Sequence, residues 1–557
     1  MTTLTSPARR RVLFLIPPYF DMDQYSGASA HTVPQFTMPY GIVSMVSYIR
    51  THCAFPVECD LLDFNVVLKT VLEENNTTEW LRIFHDAISE RLRTFRPTLV
   101  GISALFNISF KYIELCARAC KDQLSDVPVV AGGGLPSAAF REVLSRCPSV
   151  DAVCKGEGEI PLADLLNADD MKGALESHVS WVSGAAASSG KIPEHTFVQD
   201  LDDIPLLDYS IINLDHYNSR SLDKRRIGVK KREMAIHTSR GCPFHCIFCS
   251  NPSLHGHKVR AMSVARVCET ILLMKEKYGL TVLLIEDDHF FFDKNRAKEI
   301  LRRVAKLNIR VEFPNGVAVY AIDAEIAELF KAAGVSAVAL AVESGSDYVL
   351  NKIIRKPLRV SAVREKVRVL RDAGVQVHAF IVIGLPGEMP EHRRETLQML
   401  LEAGFDWAHI FCAVPILGSR LHEICVINGY IDEKDFADHV VAKSVIHAPG
   451  VDPDDIERTA YYFNLSVNFV HNYNMKIENY QTAVDYFANV ANKYPNHAFG
   501  HYFLAKALEG CGRFDEADKS RKKYRQAIEA DPWWHEHAVA HGLESRREAV
   551  LQAARKG

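Results

Sequence analysis

Net charge, cysteine density and long apolar runs are all low in this chain, and each shortage removes a class of function. Across 557 residues, 65 Lys and Arg oppose 69 Asp and Glu, leaving a net charge of −4. That balance gives no electrostatic footprint for DNA or RNA. No stretch reaches the ~18 consecutive apolar residues of a membrane helix. Arg9-Arg10-Arg11 before Val12-Leu13-Phe14-Leu15-Ile16 mimics a signal peptide, but Pro17-Pro18 ends the apolar run too early. A soluble, cytoplasmic protein with no nucleic acid or membrane partner is expected. Thirteen cysteines are too sparse for a disulfide scaffold. Cys116, Cys147, Cys412 and Cys425 sit among apolar residues, which suits buried thiols in a reducing compartment.

Against that sparse background three cysteines are crowded, in Cys242-Pro243-Phe244-His245-Cys246-Ile247-Phe248-Cys249 directly after a short apolar segment. Three thiolates at this spacing can hold three corners of a [4Fe–4S] cluster and leave one iron open for chemistry. A structural zinc site wants four ligands, usually from two such knuckles. Only one knuckle is present, so zinc would need His245 or His255 to complete it.

From about residue 234 the chain repeats one pattern, a helix closing on Gly or Asn and then an apolar strand. The closing residues are Gly279, Asn308, Gly334, Gly374 and Gly404, types that take the left-handed position ending a helix. With the segment 234–238 this predicts six parallel strands covered by helices, curled into a partial (β/α)6 barrel. Sites on such barrels collect at the carboxyl ends of strands. Polar residues stand there in register with the cysteines: Glu286-Asp287-Asp288, Glu312 with Asn315, Glu343-Ser344-Gly345, Gly384-Leu385-Pro386-Gly387-Glu388, and Pro415.

These features resemble the radical S-adenosylmethionine (SAM) superfamily over roughly residues 230–430. The resemblance implies that Cys242, Cys246 and Cys249 ligate the cluster while SAM chelates the fourth iron. It also implies that Phe248 packs on the adenine, that Glu343-Ser344 serves the ribose or amino group, and that Gly384 and Gly387 admit the adenine. The family's Gly-Gly-Glu motif is absent from the second strand, where Asp287 or Asp288 is expected to stand in.

Residues 12 to about 165 also alternate strand and helix, with strands at 12–16, 57–62, 99–103, 127–131 and 152–154. This predicts an open Rossmann-like α/β sheet, which binds ligands at its carboxyl edge. Two strand ends stand out, Ser103-Ala104-Leu105 and Gly132-Gly133-Gly134. A dinucleotide fingerprint, Gly-x-Gly-x-x-Gly, is missing from the first turn. Ser-x-Leu, 26 residues, then Gly-Gly is similar to the nucleotide-tail groove of cobalamin-binding domains, and Gly156-Glu157-Gly158-Glu159 to the lead into a radical SAM barrel in that family. The resemblance makes Ser103, Leu105, Gly132, Gly133, Gly134, Gly156 and Glu157 cobalamin-binding. No Asp-x-His-x-x-Gly follows the first strand, so no histidine is marked as the lower ligand of cobalt; His31, in the loop 20–36, is the nearest alternative to an unligated lower face.

The expected organisation is a cobalamin-binding domain (1–165), a linker (166–230) in which 183–190 is a loop, a radical SAM barrel (231–430) and a helical domain (431–557). The last resembles one and a half tetratricopeptide-like repeats, too few to stand alone, so they are expected to cap the barrel. The runs Lys224-Arg225-Arg226 and Lys230-Lys231-Arg232 are read as a solvated face or as cations for an anionic substrate. Together the resemblances imply a cobalamin-dependent radical SAM methyltransferase. Its cofactors would be a [4Fe–4S] cluster, SAM and cobalamin, with an external electron donor and a small-molecule, peptide or carrier-protein substrate. One SAM would yield a 5′-deoxyadenosyl radical and another would methylate cobalt, the methyl passing to an unactivated carbon or to phosphorus in specialised, antibiotic-type metabolism. Cyclisation, rearrangement, non-radical methyl transfer and a cofactor-sensing module are the alternatives.

Overall fold

The computed structural model describes residues 9–22, 38–73, 79–217, 232–432 and 443–544. His31 and the cations Lys224, Arg225, Arg226, Lys230 and Lys231 lie outside them. The first sheet contains β1 (Arg10–Ile16), β2 (Val57–Asp63), β3 (Leu99–Ser103), β4 (Val129–Gly132), β5 (Ala152–Cys154) and β6 (Trp181–Ser183), in the order β2-β1-β3-β4-β5-β6. Five strands are parallel, and Val12, Leu13, Leu15, Leu99, Val100 and Val129 are fully buried between covering helices. Strand order reverses between β1 and β3, which opens a crevice at the carboxyl ends of those strands.

The expected linker is corrected at 181–188. Trp181–Ser183 pairs antiparallel with β5, Trp181 is 3% exposed, and its indole N–H donates to the carbonyl of Pro161 at 3.1 Å. The loop expected at 183–190 opens as a short helix, Gly184–Ser188, capped by the Ser183 hydroxyl.

The second unit has the expected six parallel strands: β7 (Glu233–Ile236), β10 (Val282–Ile285), β11 (Arg310–Glu312), β12 (Ala337–Glu343), β13 (Gln376–Ile383) and β14 (Trp407–Cys412). They form two three-stranded sheets, β11-β10-β7 and β12-β13-β14, joined by the parallel bridge Val317–Leu340. Gly279 (φ 73°) and Asn308 (φ 48°) end their helices in the left-handed conformation their residue types favour. A hairpin, β8 (Ser239–Arg240) with β9 (Arg260–Ala261), follows β7, and its connection, 241–259, carries the three cysteines.

One edge of the half-barrel is β14, and unpaired strand edges invite foreign pairing. Asn468 closes it by mimicking a strand. Its side-chain oxygen accepts from the Ala408 N–H at 2.7 Å and its amide nitrogen donates to the Ala408 carbonyl at 2.8 Å. Helix Pro453–Leu465 packs along β14. Beyond it, helices Tyr480–Lys493, Ala498–Gly510, Phe514–Ala530 and Pro532–Ala540 share a separate core with Phe469, Phe487, Phe499 and Trp534. Among the described residues no helix is long and apolar enough to cross a membrane.

Candidate functional site

The cysteine loop is pinned from several directions. Gly241 has φ 91°, and a side chain there would meet the Lys258 carbonyl at 2.6 Å. The Ile247 N–H donates to the Ile354 carbonyl (3.1 Å) and the Cys249 N–H to the Cys246 carbonyl (3.1 Å). In the metal-free chain burial pushes the Cys246 thiol up to about 11 and the Cys249 thiol up to about 12, against the Lys356 ammonium, which favours the thiolate at Cys246. Ligation by iron would remove those protons. Among the described residues no three His, Cys, Asp or Glu groups gather as around a single ion. His255 is engaged elsewhere, its Nδ1 lying 2.8 Å from Glu157 Oε1.

The two aspartates after β10 are reassigned by the structure. Asp287 accepts from the Thr238 N–H, the Thr238 hydroxyl and the Ser239 hydroxyl, each at 2.6 Å, and burial raises its pKa. Asp288 accepts from the Gly241 N–H at 3.1 Å and from the Asn251 amide at 2.5 Å. Both carboxylates brace the approach to the cysteine loop. Ser344 is also committed, its hydroxyl 3.1 Å from Thr396 Oγ1 with no exposed surface. At Gly384 (φ 86°) a side chain would strike Ile456 at 2.8 Å, which accounts for that glycine by packing. Gly387 (φ 87°) is less crowded, its nearest neighbour Ile353 at 3.6 Å.

Glu343 behaves differently. It holds φ 71°, rare for a side chain of its kind, beside a register irregularity at the end of β12, and such outliers cluster at functional sites. Its Oε1 accepts from Lys356 Nζ at 3.0 Å. Lys356, missed from the sequence, sits close enough to favour the Cys242 and Cys246 thiolates. Phe244, His289 and Tyr320 form an aromatic group beside it, with ring centroids 5.4 to 6.2 Å apart and the Tyr320 hydroxyl bonded to His289 Nε2. Burial and Lys356 lower the His289 pKa to about 4, so the ring is neutral and accepts the phenol proton.

In the first domain Ser103 ends β3 directly opposite Gly132 at the end of β4. Leu105 and Phe106 follow, 42% and 47% exposed, unusually open for such side chains beside a crevice. A side chain on Gly132 would meet nothing closer than Cys154 Cβ at 3.8 Å. The strand ends therefore offer an apolar ledge over bare backbone, which fits the flank of a large, flat ligand. Gly133 has its own requirement: φ is 96° and a side chain would meet the Ala104 carbonyl oxygen at 2.6 Å. Glu157 and Gly156, expected to contact cobalamin, do not line this ledge. Gly156 faces His195, which a side chain would meet at 2.6 Å, and Glu157 is filled by Arg240, Arg260 and His255.

The ledge and the cysteine loop adjoin. Helix Gly134–Ala138, which opens at the glycine turn, packs on helix Asn251–His255, which follows Cys249. Gly418 sits at that joint, where a side chain would meet Ala138 Cβ at 2.6 Å and Ser253 Oγ at 3.2 Å.

Residues 236–400 match the radical SAM superfamily and residues 30–166 match the B12 binding domain. The chain carries a B12-binding domain and a radical SAM domain. It is 27% identical over 470 residues to cytidylyl-2-hydroxyethylphosphonate methyltransferase of Streptomyces wedmorensis, covering 79% of this chain and 87% of the relative. Among solved structures it resembles the cobalamin-dependent SAM radical enzyme OxsB with aqua-cobalamin bound (TM-score 0.60, 14% identity, 94% of this chain and 81% of that one). It also resembles the radical SAM methyltransferase TsrM from Kitasatospora setae with cobalamin and a [4Fe–4S] cluster bound (TM-score 0.54, 15% identity, 94% and 99%). At those identities the structural likeness concerns the fold. By its two domains and the curated relative, the protein is a homologue of the cobalamin-dependent radical SAM methyltransferases.

Lys356 and the Phe244–His289–Tyr320 group were not legible in the sequence because they come from four separate connections, after β7, β10, β11 and β12. A lysine two residues past the helical turn Val349–Ile354 carries no spacing signal of its own.

Proposed function

We propose that this radical SAM protein methylates a small molecule, with Cys242, Cys246 and Cys249 holding a [4Fe–4S] cluster and the ledge of Ser103, Leu105 and Gly132–Gly134 holding cobalamin. The observation that carries this reading is the joint between helices Gly134–Ala138 and Asn251–His255, which sets the glycine turn beside the cysteine loop. When bound, the cluster supplies the electron that cleaves SAM and cobalamin carries the methyl group. The chain's part is placement. Asp287 and Asp288 brace the cysteine loop, Phe248 offers the adenine a face, and the half-barrel keeps water from the reacting groups. Glu343 and Lys356 pair with each other and would present opposite charges to the zwitterionic amino acid moiety of SAM.

The domain limits 1–165, 231–430 and 431–557 belong to the same proposal, with Trp181–Ser183 added to the first. The substrate class is a small specialised metabolite, a phosphonate being the first to try because the curated relative is named for one. The electron donor is external to the chain.

Feeding CD₃-methionine to cultures with and without the gene tests the reading. A gene-dependent metabolite heavier by one CD₃ in place of one hydrogen is expected, and purified protein should release 5′-deoxyadenosine and S-adenosylhomocysteine together. A gene-dependent metabolite without label would overturn methyl transfer in favour of rearrangement. Label without 5′-deoxyadenosine would mark a polar route. Stoichiometric zinc and no iron in the purified protein would end the cluster assignment.

A further inference from the structure

One carboxylate of the first domain grips both ends of the cysteine loop. Arg240 lies two residues before Cys242, Arg260 opens β9 just after the loop, and His255 closes the short helix inside it. All three converge on Glu157. Arg240 reaches Glu157 Oε2 at 2.9 Å, Arg260 reaches both oxygens at 2.9 and 2.5 Å, and His255 Nδ1 lies 2.8 Å from Oε1. Arg240 continues to Glu159 Oε1 at 2.8 Å and to Ser44 Oγ at 3.1 Å, and Ser44 donates to Glu159 at 2.7 Å. Glu157, Arg240 and Arg260 are 4%, 4% and 5% exposed, with Arg260 also seated over the Phe197 ring at 4.2 Å.

The other end of the grip leads to the glycine turn. Gly156, preceding Glu157, donates its N–H to Ser137 Oγ at 2.9 Å, and Ser137 belongs to helix Gly134–Ala138. A continuous set of hydrogen bonds therefore runs from that helix through Gly156 and Glu157 to the arginines flanking the cysteines. Buried ion networks are weak as net stabilisers because desolvation offsets the attraction. This one has two carboxylates satisfied by two forked guanidiniums, which few alternative placements of the loop could satisfy.

We propose that Glu157 is a positioning residue that sets the cysteine loop's placement against the cobalamin ledge, and with it the gap between cluster and cobalamin; this rests on the function proposed above. Its neutral isostere, Glu157→Gln, keeps the size of the side chain and removes the charge that holds two arginines together.

Hydrogen–deuterium exchange on the full-length, metal-free protein tests it. In Glu157→Gln, and in Arg240→Lys, amides across 241–259 should exchange faster by on the order of tenfold, while those of β3, β4 and β12–β14 keep wild-type rates. In the loaded variants, iron and cobalamin contents should match wild type while the magnetic interaction between the reduced cluster and cob(II)alamin changes in the electron paramagnetic resonance spectrum. Wild-type exchange across 241–259 in both variants would overturn the proposal, and so would an equal rise throughout the chain, which marks a merely structural role. Should Glu157→Gln not fold, Arg240→Lys decides. A wild-type protein that takes up no cobalamin would instead sink the functional reading, and the metal-free exchange comparison would then judge the grip by itself.

Discussion

The barrel is held on its two sides by opposite chemistries. Toward the first domain the contact is ionic, with Glu157 and Glu159 against Arg240 and Arg260. Toward the C-terminal helices it is mainly aromatic and amide, the charged contacts there including Arg393 with Asp455 at 3.5 Å and Asn474 donating to Asp406 at 2.9 Å. Tyr486 stacks on Trp407 with centroids 5.4 Å apart, its hydroxyl lies 2.7 Å from His378 Nε2, and Asn468 pairs with the backbone of Ala408. The ionic side borders the cysteine loop, where placement must be specific, and the neutral side closes an open strand edge, where any well-packed cover suffices. Charges were used where one geometry had to be chosen.

The largest test of that contrast is to break each side by one residue. Glu157→Leu strands the buried Arg260 guanidinium and leaves Arg240 with Glu159 alone, and should cost about 3–5 kcal/mol. Tyr486→Phe leaves one imidazole N–H without its acceptor and should cost about 1–3 kcal/mol. Denaturant unfolding of the two variants checks the order, and equal losses would erase the distinction between the sides.

Acid should separate the two sides in sequence. Burial lowers the His378 and His409 pKa values to about 3 and about 4, from 6.5. As pH falls below 6.5 the unfolded chain binds protons that these folded rings refuse, so the neutral side loses stability between 6.5 and about 4. Burial alone would raise the Glu157 pKa, but Arg240, His255 and Arg260 outweigh it and hold it far below its usual 4.5. Its contribution is complete above 4.5 and decays only below that value. Protection factors measured from neutral pH downward should fall first across 480–493 and later at the β8–β9 hairpin that Glu157 holds; the reverse order would contradict the assignment of charges.

Asn468→Ala removes both edge bonds at Ala408 and should cost about 2 kcal/mol. Self-association through the freed β14 edge, read by light scattering, should rise with it. Smallest in stability is Leu105→Glu. The side chain is 42% exposed, so unfolding should shift within about 0.5 kcal/mol. Cobalamin uptake should nevertheless fall, measured by absorbance after reconstitution, and uptake at the wild-type level would remove Leu105 from the ledge. Gly133 is unsuited to this test, since a side chain there meets the Ala104 carbonyl before any ligand.

Much of this was readable in one dimension. The six barrel strands, the five parallel strands of the first sheet and the cysteine spacing are local patterns, set by apolar runs, by Gly or Asn at helix ends and by intervals of three and two residues between thiols. Trp181–Ser183, the edge strand antiparallel to β5, lay inside the expected linker. The hydrogen-bond partners of Asp287 and Glu157 were not readable, because a carboxylate's identity says nothing of what binds it. Asp287 is bound by Thr238 and Ser239 from 49 and 48 residues away, and Glu157 by Arg260 from 103 residues away.

The sequence by itself determined which elements form and which cofactor chemistry their ends can host, because helix periodicity, strand hydrophobicity and ligand spacing act between near neighbours. Only the tertiary structure decided which charges brace and which remain for a ligand. Lys356 meets Glu343, and Glu157 meets the arginines of the cysteine loop, only after the half-barrel has curled and docked on the first sheet. Electrostatic partnership depends on distance through space and on the exclusion of water, and neither is a property of position along a chain.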